Sequence, residues 1–249
     1  MRIVPPSHEI LFMPDGDLIL RNIEVAGRTC YKSEDKITPD SAAGFVKRII
    51  ASGHHSVIEH MNITARFVCD RGVSHELVRH RLAAYSQEST RYANYGKDKF
   101  GNRIALILPL WYPNLRPGDY SQAPDGNGET RLVLPESVDA AALLPAETTW
   151  LRAMLGAEAA YLALLAAGEQ AQQARGVLPN ALKTEIVMTA NLREWRHVFS
   201  VRCSPAAHPQ IRQLLLPFLA DLRERIPAVF DDVYDRFRDS ADDASRSDR

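Results

Sequence analysis

Residues 62–92 constrain the fold of this chain more than any other stretch, because a strand pattern there runs directly into a helical one. From Asn62 to Asp70, apolar and polar residues alternate with a period of two, which is typical of a half-buried β-strand. Residues 71–72 form a turn in this interpretation. Apolar side chains then recur at helical spacing, at Val73, Leu77 and Val78. The sequence therefore predicts a strand that turns immediately into one short helix.

The segment that follows, residues 79–91, concentrates groups that bind phosphate. Its thirteen residues include three guanidinium groups, one imidazole, three aliphatic hydroxyls and one side-chain amide. Arginine offers a planar fork of donors suited to phosphate, and hydroxyls and amides add neutral hydrogen bonds. Arg-x-Arg beside a histidine is also common on solvated helix faces. The presence of these residues alone does not distinguish a binding site from a solvated helix face. Their order is what indicates a site for a phosphorylated nucleotide.

Composition and charge exclude several classes of protein. The chain has 249 residues and a formal net charge of −1, so we expect no bulk attraction to nucleic acid or to membranes. The cysteines Cys30, Cys69 and Cys203 are far apart, which argues against a disulfide framework and for a reducing compartment. Cys203, next to Arg202, is either a thiol nucleophile or an incidental buried cysteine. No secretory signal or membrane-spanning run is visible, and we expect a cytoplasmic protein.

A histidine-rich cluster at residues 54–60 suggests a metal site, but its spacing does not fit the zinc motifs. The interval from His55 to Glu59 is one residue too long for His-x-x-Glu-His. In the segment that begins at His75, the position that a second zinc-binding histidine would need is occupied by Arg79. We therefore predict no metal ion.

The remaining elements follow from the same periodicities. Further strands are predicted at residues 10–13, 103–110, 131–134 and 183–191. Helices are predicted at residues 38–50, 146–167, 170–175, 192–201, 210–225 and 229–237. Residues 20–31 fit either a helix or a strand. No Gly-x-Gly-x-x-Gly or Gly-x-x-x-x-Gly-Lys-Ser/Thr motif is present, which argues against a Rossmann site and a P-loop.

The basic segment resembles the signature of one enzyme family. Arg79-His80-Arg81, then seven residues, then Ser89 is similar to the Arg-His-Arg signature of the flavin-dependent thymidylate synthases. Arg91-Tyr92 follow, as in the longer form of that signature.

Two further segments repeat the resemblance in the order that the family has. Residues 53–60 are similar to the family's Gly-His-x-Ser/Thr-x-x-Glu-His segment, which lies against the flavin. The C-terminal half matches the family pattern at Arg175, Leu178, Pro179, Asn191, Leu192, Arg193, His197 and Arg202. The similarity therefore runs from about residue 53 to residue 213, apart from residues 111–145.

The resemblance implies a fold and an activity. The fold is α+β, with a twisted β-sheet flanked by helices in a single large domain, residues 1–238. Residues 111–145 are then an inserted loop region, and residues 239–249 are a disordered tail. Family members serve dTMP biosynthesis: they reductively methylate dUMP to dTMP, with methylene-tetrahydrofolate as carbon donor and FAD reduced by NADPH as hydride source. They assemble as homotetramers whose active sites are shared between subunits.

The resemblance also implies site residues. Arg202 is the catalytic residue, because a guanidinium at the uracil edge stabilises negative charge on the activated pyrimidine. The implied dUMP contacts are Glu76, Arg79, Gln87, Glu88, Ser89, Thr90, Arg91, Arg175 and Arg202. The implied FAD contacts are His54, Ser56, Arg79, His80, Arg81, Gln87, Asn191, Arg193 and His197. The contacts of folate and NADPH, the share of each subunit in a site, and the role of residues 111–145 stay open.

Three positions depart from the commoner family residues: Glu76 replaces Gln, Gln87 replaces Glu, and His197 replaces Asn. All three still form hydrogen bonds, but the charge of Glu76 near a phosphate needs compensation, which Arg79 can supply. Three alternatives remain. Ser89 could act as a nucleophile if His80, the closest candidate in sequence, served as its base. The chain could also be a nucleotide-binding regulator without turnover, or a metal hydrolase that uses His54, His55 and His60.

Overall fold

The computed structural model describes residues 1–125 and 130–237. Within these ranges the α-helices are α1 (Gly16–Tyr31), α2 (Ser41–Ala51), α3 (Arg71–Leu77), α4 (Pro145–Ala166), α5 (Ala171–Ala174), α6 (Leu192–Arg202), α7 (Pro209–Arg225) and α8 (Pro227–Asp235). The strands are β1 (Arg2–Val4), β2 (Ser7–Phe12), β3 (Asn62–Asp70), β4 (Ala83–Gln87), β5 (Ala105–Ile107), β6 (Gly118–Asp119), β7 (Ser121–Pro124), β8 (Thr130–Val133) and β9 (Lys183–Asn191). Short 3₁₀ turns occupy Glu34–Lys36, His55–His60, Asp98–Phe100, Ala140–Ala142 and Arg175–Val177. The predicted α+β class is confirmed.

Most of the sequence periodicities correspond to real elements. Strands β3 and β9 have the bounds that their alternation predicts, and every second residue of each is buried. Residues 20–31, which fit either state, belong to helix α1. This helix starts where the carboxylate of Asp15 accepts hydrogen bonds from the backbone N–H groups of Asp17 and Leu18, at 3.0 and 3.4 Å.

Two local predictions differ from the structure. Helix α3 ends at Leu77, so Val78 lies outside it and the Arg-His-Arg motif lies in the turn that follows. The residues after that turn form strand β4, which is absent from the strands that the sequence periodicities predict. The hydroxyl of Tyr85 in β4 donates to the backbone carbonyls of Leu77 and His80, at 2.7 and 2.8 Å. These contacts fix the turn between α3 and β4.

The described chain divides into two compact units, each assembled from separated stretches of sequence. The first unit consists of residues 1–7, 68–75 and 87–186. It contains a three-stranded sheet of order β5-β1-β6, in which β1 is parallel to β5 and antiparallel to β6. The predicted loop region 111–145 includes β6 and the antiparallel hairpin β7–β8, while residues 126–129 lie outside the described residues. Helix α4 packs against the core of this unit through Leu151, Leu155 and Tyr161.

The second unit consists of residues 8–67, 76–86 and 187–249, and it is described as far as residue 237. Most residues of the four-stranded sheet β2-β3-β9-β4 belong to it. Its core is aromatic: Trp195 of α6 packs against Phe67, Phe199 and Phe218. The indole N–H of Trp195 donates to the carbonyl of Ile63 at 3.1 Å, which anchors α6 to strand β3. The predicted tail, residues 239–249, lies outside the described residues.

Two further observations bear on the sequence predictions. Within the described part of the chain, no helix combines the length and the hydropathy needed to span a bilayer. Cys203 is fully buried, and burial raises the pKa of its thiol to about 12. The side chain is therefore an unreactive thiol near neutral pH, in agreement with the incidental buried cysteine of the sequence interpretation.

Candidate active site

An open cavity of about 1190 Å³ in the second unit collects most of the predicted flavin residues. It is lined by His55, Glu59, Arg79, His80, Arg81, Leu82, Asn191, Arg193, Glu194, Arg196, His197, Ser200, Val201, Arg202 and Arg236. Six of these are arginines and two are glutamates, so the walls carry an excess of positive charge. Such a cavity attracts an anionic ligand.

Helix α6 forms one wall of this cavity, because its exposed polar side chains recur at helical spacing. The side chain of Asn191 accepts a hydrogen bond from the backbone N–H of Glu194 at 2.9 Å and so caps the first turn of the helix. Arg193 and His197, four residues apart, both lie on the exposed face of the helix. Glu194, one residue after Arg193, is buried instead, with 6% of its surface exposed. One helix thus presents Arg193 and His197 to the cavity and keeps the carboxylate of Glu194 beneath them.

Arg202, the predicted catalytic residue, is held at the end of α6 by three hydrogen bonds. Its Nε donates to Nε2 of His80 at 3.0 Å. Its Nη1 donates to the carboxylate of Glu76 at 2.6 Å, and its Nη2 donates to the backbone carbonyl of Glu76 at 3.1 Å. Since a guanidinium has five N–H donors, two remain for a ligand after these contacts with described residues. The arrangement fixes the plane of the guanidinium and leaves part of it available.

His80 lies between Arg202 and Glu194, and it is 6% exposed. Its Nδ1 lies 3.5 Å from Oε1 of Glu194. Its ring meets that of His197 edge to face, with 5.6 Å between the ring centroids. Burial, together with the positive charge of Arg202 and with His197, lowers the pKa of His80 to about 4. The imidazole is therefore neutral near pH 7.

Three metal-ligating side chains also meet here: His80, Glu194 and His197 offer atoms that all lie within 4.8 Å of one another. Neither His54 nor His60, which the metal-hydrolase alternative requires, belongs to this group among the described residues. Nε2 of His80 already accepts the N–H of Arg202, so a metal ion at that nitrogen would have to displace a cation. The arginines around these side chains therefore make the cavity more favourable for an anion than for a metal ion.

The structure brings together part of the flavin set that the resemblance implies. The cavity is lined by its members Arg79, His80, Arg81, Asn191, Arg193 and His197. His54 and Ser56 are exposed in the same unit but do not line the cavity, whereas their neighbours His55 and Glu59 do. Nη1 of Arg193 donates to Glu59 at 2.5 Å.

The predicted dUMP residues are divided between the two units. The second unit holds Glu76, Arg79 and Arg202. The first unit holds Gln87, Glu88, Ser89, Thr90, Arg91 and Arg175. Within the first unit, Nη1 of Arg175 donates to the hydroxyl of Thr90 at 3.3 Å, and the hydroxyl of Ser89 accepts the backbone N–H of Arg91 at 3.3 Å.

Gln87 and Glu88 are engaged inside the first unit. The amide of Gln87 donates to the hydroxyls of Ser74 and Thr184, at 2.9 and 3.2 Å. The carboxylate of Glu88 accepts from the hydroxyl of Tyr95 at 2.9 Å and from Nζ of Lys183 at 3.2 Å. Both side chains therefore already have protein partners.

Glu194 and Arg196 line the cavity but are absent from the sequence-based site set. Both lie in α6 between Arg193 and His197, the two residues of this helix that the resemblance assigns to FAD. A helical projection would have separated Glu194 from the face of Arg193 and His197. Glu194 and His80 are more than a hundred residues apart in the sequence, so no local sequence pattern predicts their contact.

Comparisons with known proteins agree with this assembly of motifs. A family model described as thymidylate synthase complementing protein matches residues 17–228. A flavin-dependent thymidylate synthase from Mycobacterium avium (strain 104) is 37% identical over 235 residues, which is 92% of this chain and 85% of the relative. The enzyme of that name from Mycobacterium tuberculosis (strain ATCC 25618 / H37Rv) is 36% identical over 237 residues, with the same coverage.

Two solved structures share the fold. They are crystal structures of a UMP/dUMP methylase, PolB from Streptomyces cacaoi, bound with 5-Br UMP and with 5-Br dUMP. Their TM-scores against this chain are 0.68 and 0.69, at 21% and 20% identity. Each alignment covers 95% of this chain, and 97% and 98% of the solved chains.

Proposed function

The chain belongs to the thymidylate synthase complementing protein family, whose curated relatives are named flavin-dependent thymidylate synthases, and on that premise we propose that it reductively methylates dUMP to dTMP. The observation that supports this proposal best is the geometry of Arg202. The guanidinium of Arg202 lines an arginine-rich cavity and keeps N–H donors that are available to a ligand. Such a group suits a reaction in which negative charge develops on a bound ring.

FAD is the cofactor in this proposal, and the residues of the cavity fit it. Arg79, Arg81 and Arg193 line the cavity and suit a pyrophosphate, because guanidinium groups bind phosphate oxygens in a fork. Asn191 and His197 add further hydrogen-bonding groups to the same walls. The volume of about 1190 Å³ exceeds the range of about 300–1,000 Å³ usual for small-molecule pockets, which suits a large dinucleotide.

Arg202 is the residue that acts on the pyrimidine in this proposal. Its two available N–H groups stabilise the negative charge that develops when the ring is activated. Hydride transfer requires bound flavin that has been reduced by NADPH, and the one-carbon unit requires methylene-tetrahydrofolate, because no side chain in the cavity can supply either. The protein orients the reactants and polarises them.

The remaining implied contacts complete the proposal. The dUMP contacts in this proposal are the ones that the resemblance implies: Glu76, Arg79, Gln87, Glu88, Ser89, Thr90, Arg91, Arg175 and Arg202. His54, Ser56 and Gln87 contact FAD. The functional form is a cytoplasmic homotetramer whose sites are shared between subunits. Nucleic acid, membranes and metal ions have no part in the reaction.

The first experiment is a visible spectrum of the purified protein, followed by anaerobic NADPH with and without dUMP. We expect a flavin spectrum that bleaches at a rate sensitive to dUMP, and dTMP once methylene-tetrahydrofolate is added. A colourless protein that takes up no added FAD would contradict the proposal. Nucleotide binding without turnover would favour the regulator, and activity lost on chelation and restored by metal would favour the hydrolase.

A further inference from the structure

Arg202 is oriented by a neutral histidine, which requires that histidine to have one particular tautomer. Nε–H of Arg202 is a donor, so Nε2 of His80 must present a lone pair to it across 3.0 Å. In a neutral imidazole the proton then lies on Nδ1. Nδ1 is the atom that lies 3.5 Å from the carboxylate of Glu194.

We propose that Glu194 and His80 form a positioning pair for Arg202: the Glu194 carboxylate selects the Nδ1–H tautomer of His80, and Nε2 of His80 then orients the Arg202 guanidinium. Neither residue touches the reacting atoms in this scheme. The catalytic consequence rests on the proposed function, whereas the tautomer does not.

The position of Glu194 is difficult to explain by stability alone. Its carboxylate is almost completely removed from water, which carries a large desolvation cost unless a partner compensates it. Among the described residues, no lysine or arginine forms an ion pair with it, and the ring of His80 is the side chain recorded beside it, at 3.5 Å. Within α6, its backbone N–H is capped by Asn191, which does not involve the carboxylate. A buried acid with a neutral imidazole as its partner is typical of a tautomer-selecting group.

Glu76 supports the same geometry from the other side of the guanidinium. Its carboxylate and its backbone carbonyl accept from Nη1 and Nη2 of Arg202. Charge compensation of Arg202 therefore comes from Glu76, and the contact with His80 contributes orientation. Removal of the Glu194 carboxylate leaves the ion pair between Glu76 and Arg202 intact and acts on Arg202 through the histidine that directs its Nε.

The tautomer is measured directly by long-range ¹H–¹⁵N correlation spectra of the histidine-labelled protein. The His80→Gln variant assigns the His80 signals by their disappearance. We expect Nδ1 to carry the proton at pH 7 in the unmodified protein, and in Glu194→Gln, whose amide oxygen still accepts that proton. In Glu194→Leu we expect a mixture of tautomers or the Nε2–H form. Nε2–H in the unmodified protein would overturn the proposal, whether or not the protein methylates dUMP.

The kinetic test compares Glu194→Leu and Glu194→Gln as flavin-loaded enzymes. We expect Glu194→Leu to keep its FAD content and its thermal midpoint and to lose about tenfold in kcat/KM for dUMP, since small misplacements of a positioned group cost up to on the order of 100-fold. Glu194→Gln should retain most of that value. The matched control is Glu24→Gln, which removes another buried carboxylate, the partner of Arg28, and should leave turnover per bound flavin unchanged.

Unaltered kcat/KM in Glu194→Leu would contradict the proposal. So would a loss of kcat/KM that merely follows a loss of folded, flavin-bound protein. If Glu194→Leu does not fold, the tautomer of the unmodified protein and of Glu194→Gln decides the question. If no variant turns over dUMP, the proposed function fails, and the spectra still show whether the pair exists.

Discussion

The carboxylate of Glu76 accepts a hydrogen bond from Nη1 of Arg202 at 2.6 Å, although the two residues are 126 positions apart in the sequence. Both side chains are partly exposed, at 18% for Arg202, which lines the cavity, and 29% for Glu76. An anionic ligand that binds Arg202 must therefore compete with a carboxylate of the protein.

Replacement of Glu76 by Gln should tighten the binding of dUMP. The amide keeps a hydrogen bond to Arg202 but does not repel a phosphate, so we expect Kd for dUMP to fall about fivefold, equivalent to about 1 kcal/mol. Equilibrium titration of the flavin-loaded protein with dUMP measures the change. Glu9→Gln is the matched control, because Glu9 forms a more exposed ion pair with Arg66. An unchanged Kd in Glu76→Gln would show that the charge of Glu76 does not oppose the nucleotide, and a higher Kd would show that the carboxylate helps to bind it.

Replacement of Arg202 by Ala should separate binding of the flavin from turnover. Arg202 is the only residue that we expect to stabilise charge on the pyrimidine, and loss of one such donor typically lowers kcat by about 100-fold to 1,000-fold. We expect the variant to fold and to keep its FAD. dTMP formation is followed together with the flavin absorbance. Loss of flavin alone, with normal turnover once FAD is restored, would contradict the role of Arg202. Arg202→Lys keeps the charge without the fork and should recover little activity.

Sequence periodicity was sufficient for strands β3 and β9 and for helix α6, but not for strand β4. The alternation of residues 62–70 and 183–191 reports burial on one face of a strand, which is a local property. Strand β4 was missed because Ala83 and Ala84 give no clear alternation, and its pairing within the sheet is not local. The motifs indicated Arg202 and His80, but no sequence period relates them to Glu76 or Glu194. Long-range side-chain pairs had to come from the structure.

The ion pair between Arg196 and Asp232 should respond asymmetrically to mutation. Nη1 and Nη2 of Arg196 donate to the two carboxylate oxygens of Asp232 at 2.6 and 2.7 Å, and Nη1 also donates to the carbonyl of Val229. The Arg196 side chain is 8% exposed, whereas that of Asp232 is 48% exposed. Asp232→Ala leaves a buried cation without its partner and should cost about 3 kcal/mol of stability. Arg196→Met leaves a carboxylate that water can solvate.

We therefore expect Arg196→Met to cost less than Asp232→Ala, about 1–2 kcal/mol. Urea denaturation of both variants gives the comparison. Because Arg196 lies in α6 beside Glu194, flavin content should be recorded for each. Equal losses of stability in the two variants would show that water solvates both side chains of the pair. The burial of Arg196 would then not determine the cost of breaking the pair.

The last prediction concerns acid stability through Glu147 in the first turn of α4. This carboxylate is fully buried and accepts hydrogen bonds from the backbone N–H groups of Leu144 and Asn114, each at 2.8 Å, and from the Asn114 amide at 3.1 Å. Burial pushes its pKa upward, but these hydrogen bonds and the charge of Arg116 outweigh burial, so its pKa falls below the ordinary 4.5. A lowered folded-state pKa gives stability that is fully present above the unfolded value and is lost as pH falls through the folded one.

Glu147→Gln should therefore destabilise the protein most near pH 7, where the ionised carboxylate makes all three contacts. The difference in thermal midpoint between the two proteins should shrink as pH falls below 4.5, because the carboxyl of the parent protein also becomes protonated there. Thermal unfolding between pH 3 and pH 7 measures this convergence. Glu158→Gln is a suitable second variant, since Glu158 is a carboxylate of the same helix that pairs with the N-terminal amine instead. If the difference in thermal midpoint between the parent protein and Glu147→Gln did not change with pH, Glu147 would stabilise the protein through its packing and not through its charge.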